Sequence, residues 1–312
     1  MVTGELAWWC SMAAAAGARK GAGLSAANAA AILKLRAKRL KTKGIYFLYR
    51  LLQALALPLW VLYFLWRGLV NRAYWRSLPQ RIGFVPRSFR QTGPGAIWLH
   101  AVSVGEVISC MEFLRRLRGE LPHSPVFVST STLAGRATAG EKLAGLADGV
   151  FFAPIDYAFA VRRVLRALRP SVVLVAETEI WPNLFREARR SGAALAIVNG
   201  RISDGAFRRY RRQRWFFGAV LGSADAILAQ SAEIAGRFTA IGAPAGRVRV
   251  AGNFKYDFEA RTPDPQSPVL AWLDHARPAP VWIAASTMWD AAIDEDDAVI
   301  AAYQELRRNH PR

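Results

Sequence analysis

From Ala96 onward, short apolar runs rich in β-branched residues alternate with stretches whose apolar positions recur at helical spacing. The runs predict strands at Ala96–Val102, Val126–Ser131, Gly149–Ala153, Val172–Ala176, Leu195–Asn199, Ala226–Ala229 and Arg247–Gly252. The stretches between them predict helices at Val107–Leu121, Gly135–Leu146, Ala158–Leu168, Pro182–Ser191, Phe207–Leu221 and Glu233–Ile241. Apolar strands joined by amphipathic helices imply a parallel sheet covered on both faces, with right-handed crossovers. The expected class is α/β.

The pattern changes on either side of this core. Between Leu51 and Leu65 the one polar residue is Gln53, and aromatics gather at both ends of the stretch, from Tyr46 and Tyr49 to Tyr63 and Trp66. Such aromatic flanks mark a bilayer interface. The uncharged core, Leu51 to Trp66, is shorter than the roughly 18 to 20 residues of a clean span, although Arg50 and Arg67 can snorkel outward. Both flanks are basic, so charge asymmetry cannot orient a crossing. A helix lying in the interface fits at least as well as a span, and a buried core helix is the plain alternative. Residues 1–43 read as an unassigned Ala/Gly-rich and basic extension, 44–70 as the hydrophobic anchor helix and 71–258 as the main domain. A cleaved leader is not expected, because the long apolar stretch starts only after residue 44. The Pro-rich run from Arg261 to Pro268 marks a linker over 259–280. A helix at Val269–His275, a strand at Val281–Ala285 and a helix at Asp294–Arg308 then open a second βα pattern over 281–312.

Composition narrows the partners. The chain has 312 residues, 53% hydrophobic and 21% charged, which suits a packed core rather than disorder. Its 42 Lys and Arg against 23 Asp and Glu give a formal charge of +19, which calls for an anionic partner such as phospholipid, a phosphorylated substrate or nucleic acid. Nucleic acid is the weakest of these, because the aromatics cluster beside the membrane signals rather than among basic strands. Cys10 and Cys110 have no near partner, and His100, His123, His275 and His310 are scattered, so no metal-ligand spacing appears. No Walker loop, GxGxxG or nucleophile elbow is present.

Candidate chemistry sits where predicted strands hand over to helices, the edge that faces the ligand crevice in open α/β sheets. Ser103, Gly105 and Glu106 form the first such turn, and Glu106 can serve as a base or merely complement a helix dipole. Glu177 and Glu179 follow the strand at Val172–Ala176, and would point the same way if that strand continued through them. Arg201 lies at a third edge. Arg208, Arg211 and Arg212 crowd the next helix among aromatics, suited to phosphate or to a solvated basic face. Arg136 stands at a helix start beside small polar residues. Lys255 follows the last strand before the linker, and Ser286 and Thr287 open the second βα turn.

Four segments together, Ser103-Val-Gly-Glu106, Glu177-Thr-Glu-Ile-Trp-Pro-Asn183, Asn199-Gly-Arg201 and Gly252-Asn-Phe-Lys-Tyr-Asp257, resemble in order and spacing the 3-deoxy-D-manno-octulosonic acid (Kdo) transferases of lipid A core assembly. The resemblance runs from about Gly44 to Arg312 and leaves the first forty or so residues without counterpart. It implies a GT-B glycosyltransferase, with a complete N-terminal Rossmann-like domain that binds acceptor and a truncated C-terminal Rossmann-like domain that binds donor. It implies transfer of Kdo from CMP-Kdo to a lipid A precursor of the lipid IVA type, with inversion and without bound metal or other cofactor, at the cytoplasmic face of the inner membrane. On that pattern Glu106 is the general base, and Glu177 and Lys255 stabilise the transition state. Ser103, Gly105, Arg136, Arg201, Arg208, Arg211 and Arg212 would then line the acceptor side, and Ser286 and Thr287 the donor side. Met288 stands where the family pattern has His, which weakens any donor contact there. With most of the donor half missing, the resemblance implies that this chain alone binds CMP-Kdo poorly and transfers little. A membrane scaffold that binds anionic lipid without chemistry is the alternative.

Overall fold

The computed structural model describes residues 26–257, 264–277, 281–290 and 293–309. Helix α1 (Ala26–Val70) and helix α2 (Ala73–Arg81) lead into the core. Seven strands follow: β1 (Ala96–His100), β2 (Val126–Thr130), β3 (Gly149–Phe152), β4 (Pro170–Ala176), β5 (Ala194–Gly200), β6 (Ala226–Ala229) and β7 (Val248–Val250). They form one sheet in the order β3-β2-β1-β4-β5-β6-β7, with every pairing parallel. Between them run α3 (Val104–Ser109), α4 (Met111–Glu120), α5 (Leu133–Lys142), α6 (Ala158–Leu168), α7 (Pro182–Ser191), α8 (Asp204–Arg212), α9 (Arg214–Leu221) and α10 (Ala232–Ala240).

Alternate strand residues feed two cores, as the strand period of two requires. Trp98, Phe127, Phe151, Val173, Val175 and Leu195 pack on one face with α6 and α7. Ile97, Leu99, Val126, Val128, Leu174 and Val198 pack on the other with α4 and α5. This double burial is why the strands read as unbroken apolar runs.

Two predicted helices are each divided. The stretch Val107–Leu121 is interrupted at Cys110 (φ −86°, ψ −4°). There the Ser109 hydroxyl bonds back to the Glu106 carbonyl at 2.9 Å, a bond that bends helices. The stretch Phe207–Leu221 is broken at Gln213 (φ −110°, ψ 29°). Its second half turns to pack on Gly242, where a Cβ would lie 2.8 Å from the Gly218 Cα. Gly242 also holds φ +103°, so glycine is required there twice over.

Helix α1 begins at Ala26 rather than at Gly44, so part of the expected extension is helical. Within it, the 29-residue segment Thr42–Val70 is long and apolar enough to cross a membrane, and few of its residues are buried. Yet both ends of this segment are tied to the sheet domain. At one end Tyr46 is buried with its ring under the Arg186 guanidinium, 4.4 Å away. Tyr49 Oη donates to Asp156 Oδ2 at 2.8 Å, Gln53 Nε2 donates to the Asp156 carbonyl at 2.7 Å, and Arg50 pairs with Glu187 at 2.8 Å. At the other end Arg81 of α2 lies 5.5 Å from the Phe64 ring.

The chain divides into two compact units at 258/259. The second contains α11 (Pro268–Ala276), α12 (Glu295–Asn309) and a two-residue antiparallel pairing of β8 (Trp289–Asp290) with β9 (Ile293–Asp294). The strand expected at Val281–Ala285 is absent. Val281, Trp282 and Ile283 are exposed, because no neighbouring strand among the described residues offers them a ladder.

Candidate active site

Strands β1 and β4 lie side by side, with His100 opposite Val175, and the chain leaves them in opposite directions across the sheet. Beyond their carboxyl ends lies the topological switch point, where open α/β sheets place ligands. Glu106 follows β1, and Glu177 and Glu179 follow β4.

Glu106 is held by its own turn. Ser103 caps α3, accepting from the Glu106 N–H at 3.3 Å and donating to Glu106 Oε1 at 2.9 Å. The Val102 N–H donates to Oε2 at 2.8 Å. This is a capping-box arrangement, worth about 1 kcal/mol to the helix. It leaves one lone pair free on each carboxylate oxygen. The residue is 8% exposed. Burial pushes its carboxyl up to about 7, the charges of Glu179 and Glu177 push the same way, and the Val102 and Ser103 bonds oppose them. A Cβ on Gly105 would meet nothing within 4 Å, so the turn opens onto free space there. Gly135 serves the opposite need: a Cβ would come within 2.8 Å of Thr132 Oγ1 and 3.3 Å of the Val102 carbonyl, so only glycine lets α5 approach the Glu106 turn.

Glu177 does not continue the strand. It takes φ +53°, a left-handed conformation costing a non-glycine residue about 1 kcal/mol or more. The argument that Glu177 and Glu179 point alike along a strand therefore fails, and the two find different partners. Glu177 Oε2 lies 3.7 Å from Arg201 Nη1. Glu179 Oε2 accepts from Trp181 Nε1 at 2.7 Å. Burial raises the Glu179 carboxyl, the Trp181 bond offsets part of this, and the Glu177 charge adds to it. The three carboxylates thus share one electrostatic neighbourhood despite separate contacts.

A buried network supports Trp181. Trp98 Nε1 donates to Ser129 Oγ at 2.8 Å, and Ser129 Oγ lies 2.9 Å from His100 Nδ1. Burial drives the His100 pKa down to about 3, so the ring is neutral at ordinary pH. Assigned from this network, the Ser129 hydroxyl donates to Nδ1 and the ring proton sits on Nε2. Nε2 has no hydrogen-bond partner, but the Trp181 ring packs against the imidazole in a T at 4.5 Å. The two rings fix the loop that carries Glu179. The sequence reading missed His100 and Trp181 in this role; an apolar strand ending in His was the available signal.

Lys255 comes from farther away. Strand β7 lies three strands beyond β4, roughly 14 Å across the sheet at the usual spacing. The segment after it folds back. Asn199, buried at the end of β5, accepts from the Phe254 N–H at 3.2 Å. Phe254 stacks on Phe113 of α4 at 5.0 Å, and Arg116 donates to the Asp257 carbonyl at 3.1 Å. The Lys255 turn is thereby clamped against α4, the second of the helix pair whose first member carries Glu106, with the lysine exposed.

The remaining candidates scatter. Arg136 is half-buried along α5, burial lowers its pKa, and among the described residues it pairs with no carboxylate. Arg208, Arg211 and Arg212 stand exposed on α8, likewise unpaired among the described residues. Ser286 and Thr287 lie in an exposed irregular segment of the second unit, Ser286 with φ +62°.

Comparison with known proteins supplies the family. The profile described as 3-deoxy-D-manno-octulosonic-acid transferase (kdotransferase) matches residues 76–258. A 3-deoxy-D-manno-octulosonic acid transferase of Haemophilus influenzae is 28% identical over 85% of this chain and 61% of its own length. That of Bordetella pertussis is 33% identical over 69% of this chain and 50% of its own. The chain thus spans about half to three-fifths of these curated relatives. A solved S. aureus MnaA–UDP co-structure covers 59% of the chain and 51% of its own, with TM-score 0.42 and 16% identity. The matched residues contain the whole sheet and all three carboxylates, and the chain belongs to the Kdo transferase family.

Proposed function

We propose that the sheet domain is the acceptor-activating half of an inverting glycosyltransferase that moves Kdo from CMP-Kdo to an anionic lipid A precursor. The observation that carries this reading is the convergence of Glu106, Glu177 and Glu179 at the switch point, with Glu106 tuned to about 7. A base of that strength is half ionised near neutrality and still strong enough to take a proton from a sugar hydroxyl. In the proposed step a free lone pair of Glu106 takes the acceptor hydroxyl proton. The hydroxyl oxygen bonds to the anomeric carbon of Kdo from the side opposite CMP, and the bond to the CMP phosphate breaks. Lys255 offsets charge on the departing phosphate, and Glu177, oriented by Arg201, stabilises positive charge at the sugar. Arg136, Arg208, Arg211 and Arg212 offer cations to the phosphates of the acceptor. Ser286 and Thr287 would contact donor, and 281–312 would begin the donor domain. No step requires a metal.

The docking of α1 supports an anchor that lies flat. Its apolar segment is tied to one domain at Tyr46–Gln53 and again at Phe64. A helix held at both ends by one domain cannot carry those ends to opposite sides of a bilayer. The exposed face, including Leu55, Leu59, Leu62, Trp66 and Leu69, would enter the headgroup boundary of the cytoplasmic leaflet. Cysteines introduced at positions 43 and 72, exposed at the two ends of the apolar segment, should both react, in vesicles, with a reagent that cannot cross the membrane and is added on the domain's side. Labelling of one alone would favour a span.

The function itself is tested by Kdo transfer from CMP-Kdo to a lipid IVA-type acceptor, in the protein at the length of its relatives. Lys255→Ala should lower transfer by about a hundredfold, the scale for one charge-stabilising group, with acceptor binding unchanged. Full activity in that variant would remove Lys255 from the mechanism. Absence of any transfer in the parent, with retained binding to anionic lipid, would favour the scaffold reading.

A further inference from the structure

A second cationic site lies at the other end of the sheet. A cavity of about 480 Å³ is lined by Phe84, Arg90, Arg163, Arg166, Ala167 and Arg169. Arg169 ends α6 immediately before β4, and its carbonyl accepts from the Gly95 N–H just before β1. The cavity therefore borders the amino ends of the strands whose carboxyl ends carry Glu106 and Glu177. It cannot be part of the site described above.

Four guanidinium groups line this one space, and no carboxylate lines it. Three of them are fixed by backbone. Arg163 donates to the Ile82 carbonyl at 3.0 Å, Arg166 to the Arg162 carbonyl at 3.2 Å and Arg169 to the Thr92 carbonyl at 2.8 Å. Arg163 is also held over the rings of Phe84 and Phe159, at 4.6 and 5.2 Å. Among the described residues none of the four joins an ion pair, whereas Glu187 alone draws Arg50, Arg162 and Arg190. Like charges gathered without a counter-ion repel, the more so beside low-dielectric walls. Backbone bonds that hold the heads in place keep that repulsion in the folded state. Each guanidinium retains unused N–H groups in a planar fork, which match the oxygens of a phosphate. Phe84, itself exposed, gives one wall an apolar surface for whatever the phosphate carries.

We propose that this cavity binds a phosphate group, as a lipid headgroup or as a soluble phosphate compound. The inference stands apart from sugar transfer and survives if that reading fails.

The test uses the 312-residue chain in detergent micelles, titrated calorimetrically with glycerol 3-phosphate. Its partition onto phosphatidylcholine vesicles, with and without phosphatidylglycerol, is measured alongside. The triple variant Arg90→Gln/Arg166→Gln/Arg169→Gln should lose at least tenfold in affinity for glycerol 3-phosphate. The charge-matched control Arg115→Gln/Arg189→Gln/Arg190→Gln, at exposed arginines outside the cavity, should stay within twofold of the parent. The single variant Arg166→Gln, at an exposed position, should lose threefold or more and covers the case in which the triple variant folds poorly. A matching loss of the preference for phosphatidylglycerol vesicles assigns the site to a lipid headgroup. Loss in the soluble arm alone assigns it to a free phosphate compound. Affinity within twofold of the parent in both arms, for both the triple and the single variant, overturns the proposal.

Discussion

Glu106→Gln is expected to lower Kdo transfer by about two to four orders of magnitude, the range for losing a positioned general base. The glutamine keeps a carbonyl oxygen within reach of the Val102 N–H, so the capping of α3 is largely retained. Melting temperature and acceptor binding should therefore stay near those of the parent, and the loss should fall on kcat. That separation distinguishes a base from a cap. Glu106→Ala would remove both and cost about a further 1 kcal/mol of stability. Because burial and two neighbouring carboxylates push Glu106 up to about 7, the rate should rise with pH toward that value and level off above it. Transfer within tenfold of the parent in the glutamine variant would leave the residue with its structural role only.

Asp156→Ala should release helix α1 from the domain. The Asp156 carboxylate accepts from Tyr49 Oη at 2.8 Å, from the Asn183 N–H at 3.0 Å and from the Leu184 N–H at 2.8 Å. It thus caps α7, whose own N-cap Trp181 provides no side-chain bond, and it pins the anchor at the same time. Three donors would lose their acceptor. At about 1 kcal/mol or more for each, the cost is roughly 3 kcal/mol, or about 6 to 12 °C in melting temperature for a domain of this size. Proteolysis within α1 should quicken in parallel. A shift under about 2 °C would mean that the Asp156 carboxylate adds little and that α1 is held by its other contacts, Arg50 with Glu187 and Gln53 with the Asp156 carbonyl among them.

The same residue sets a pH dependence. Burial raises the Asp156 carboxyl to about 7, against bonds from Asn183, Tyr49 and Leu184 and the charge of Arg50. Glu106 is raised similarly. In the unfolded chain both groups titrate near 4. Between those values the folded state holds protons that the unfolded state has lost, so stability falls as pH rises. Melting temperature should drop as pH increases from about 4 to about 7, level off above that, and drop less steeply in Asp156→Ala.

The sheet was legible because its strands are buried on both faces: runs such as Ile97-Trp98-Leu99 and Val172 to Ala176 have no other use in a protein of this composition. A helix start was legible where chemistry marks it, as at Pro182, whereas the helix expected from Val107 begins at Val104, behind the Ser103 cap. Breaks at Cys110 and Gln213 were not, since one depends on a serine bonding backward and the other on a glycine contact between segments far apart in sequence. The same limit applies to the site. Glu106 and Glu177 announce themselves at strand ends. The fold-back that clamps Lys255 rests on Asn199 and a Phe113–Phe254 stack, pairings that no local pattern encodes. The divergence of Glu177 and Glu179 follows from a positive φ at a residue type that gives no warning of it. Asp156 falls between the strand predicted at Gly149–Ala153 and the helix predicted at Ala158–Leu168, and its reach to α1 and α7 exists only once the chain is folded.

The claim that three carboxylates share one site at the switch point can be measured directly on this chain. A ¹³C titration of the Glu106 carboxyl should give a midpoint near 7, moving toward the ordinary glutamate range when Glu177 and Glu179 are both replaced by Gln. A midpoint near 4.5 in the parent, or one that ignores those replacements, would contradict the account.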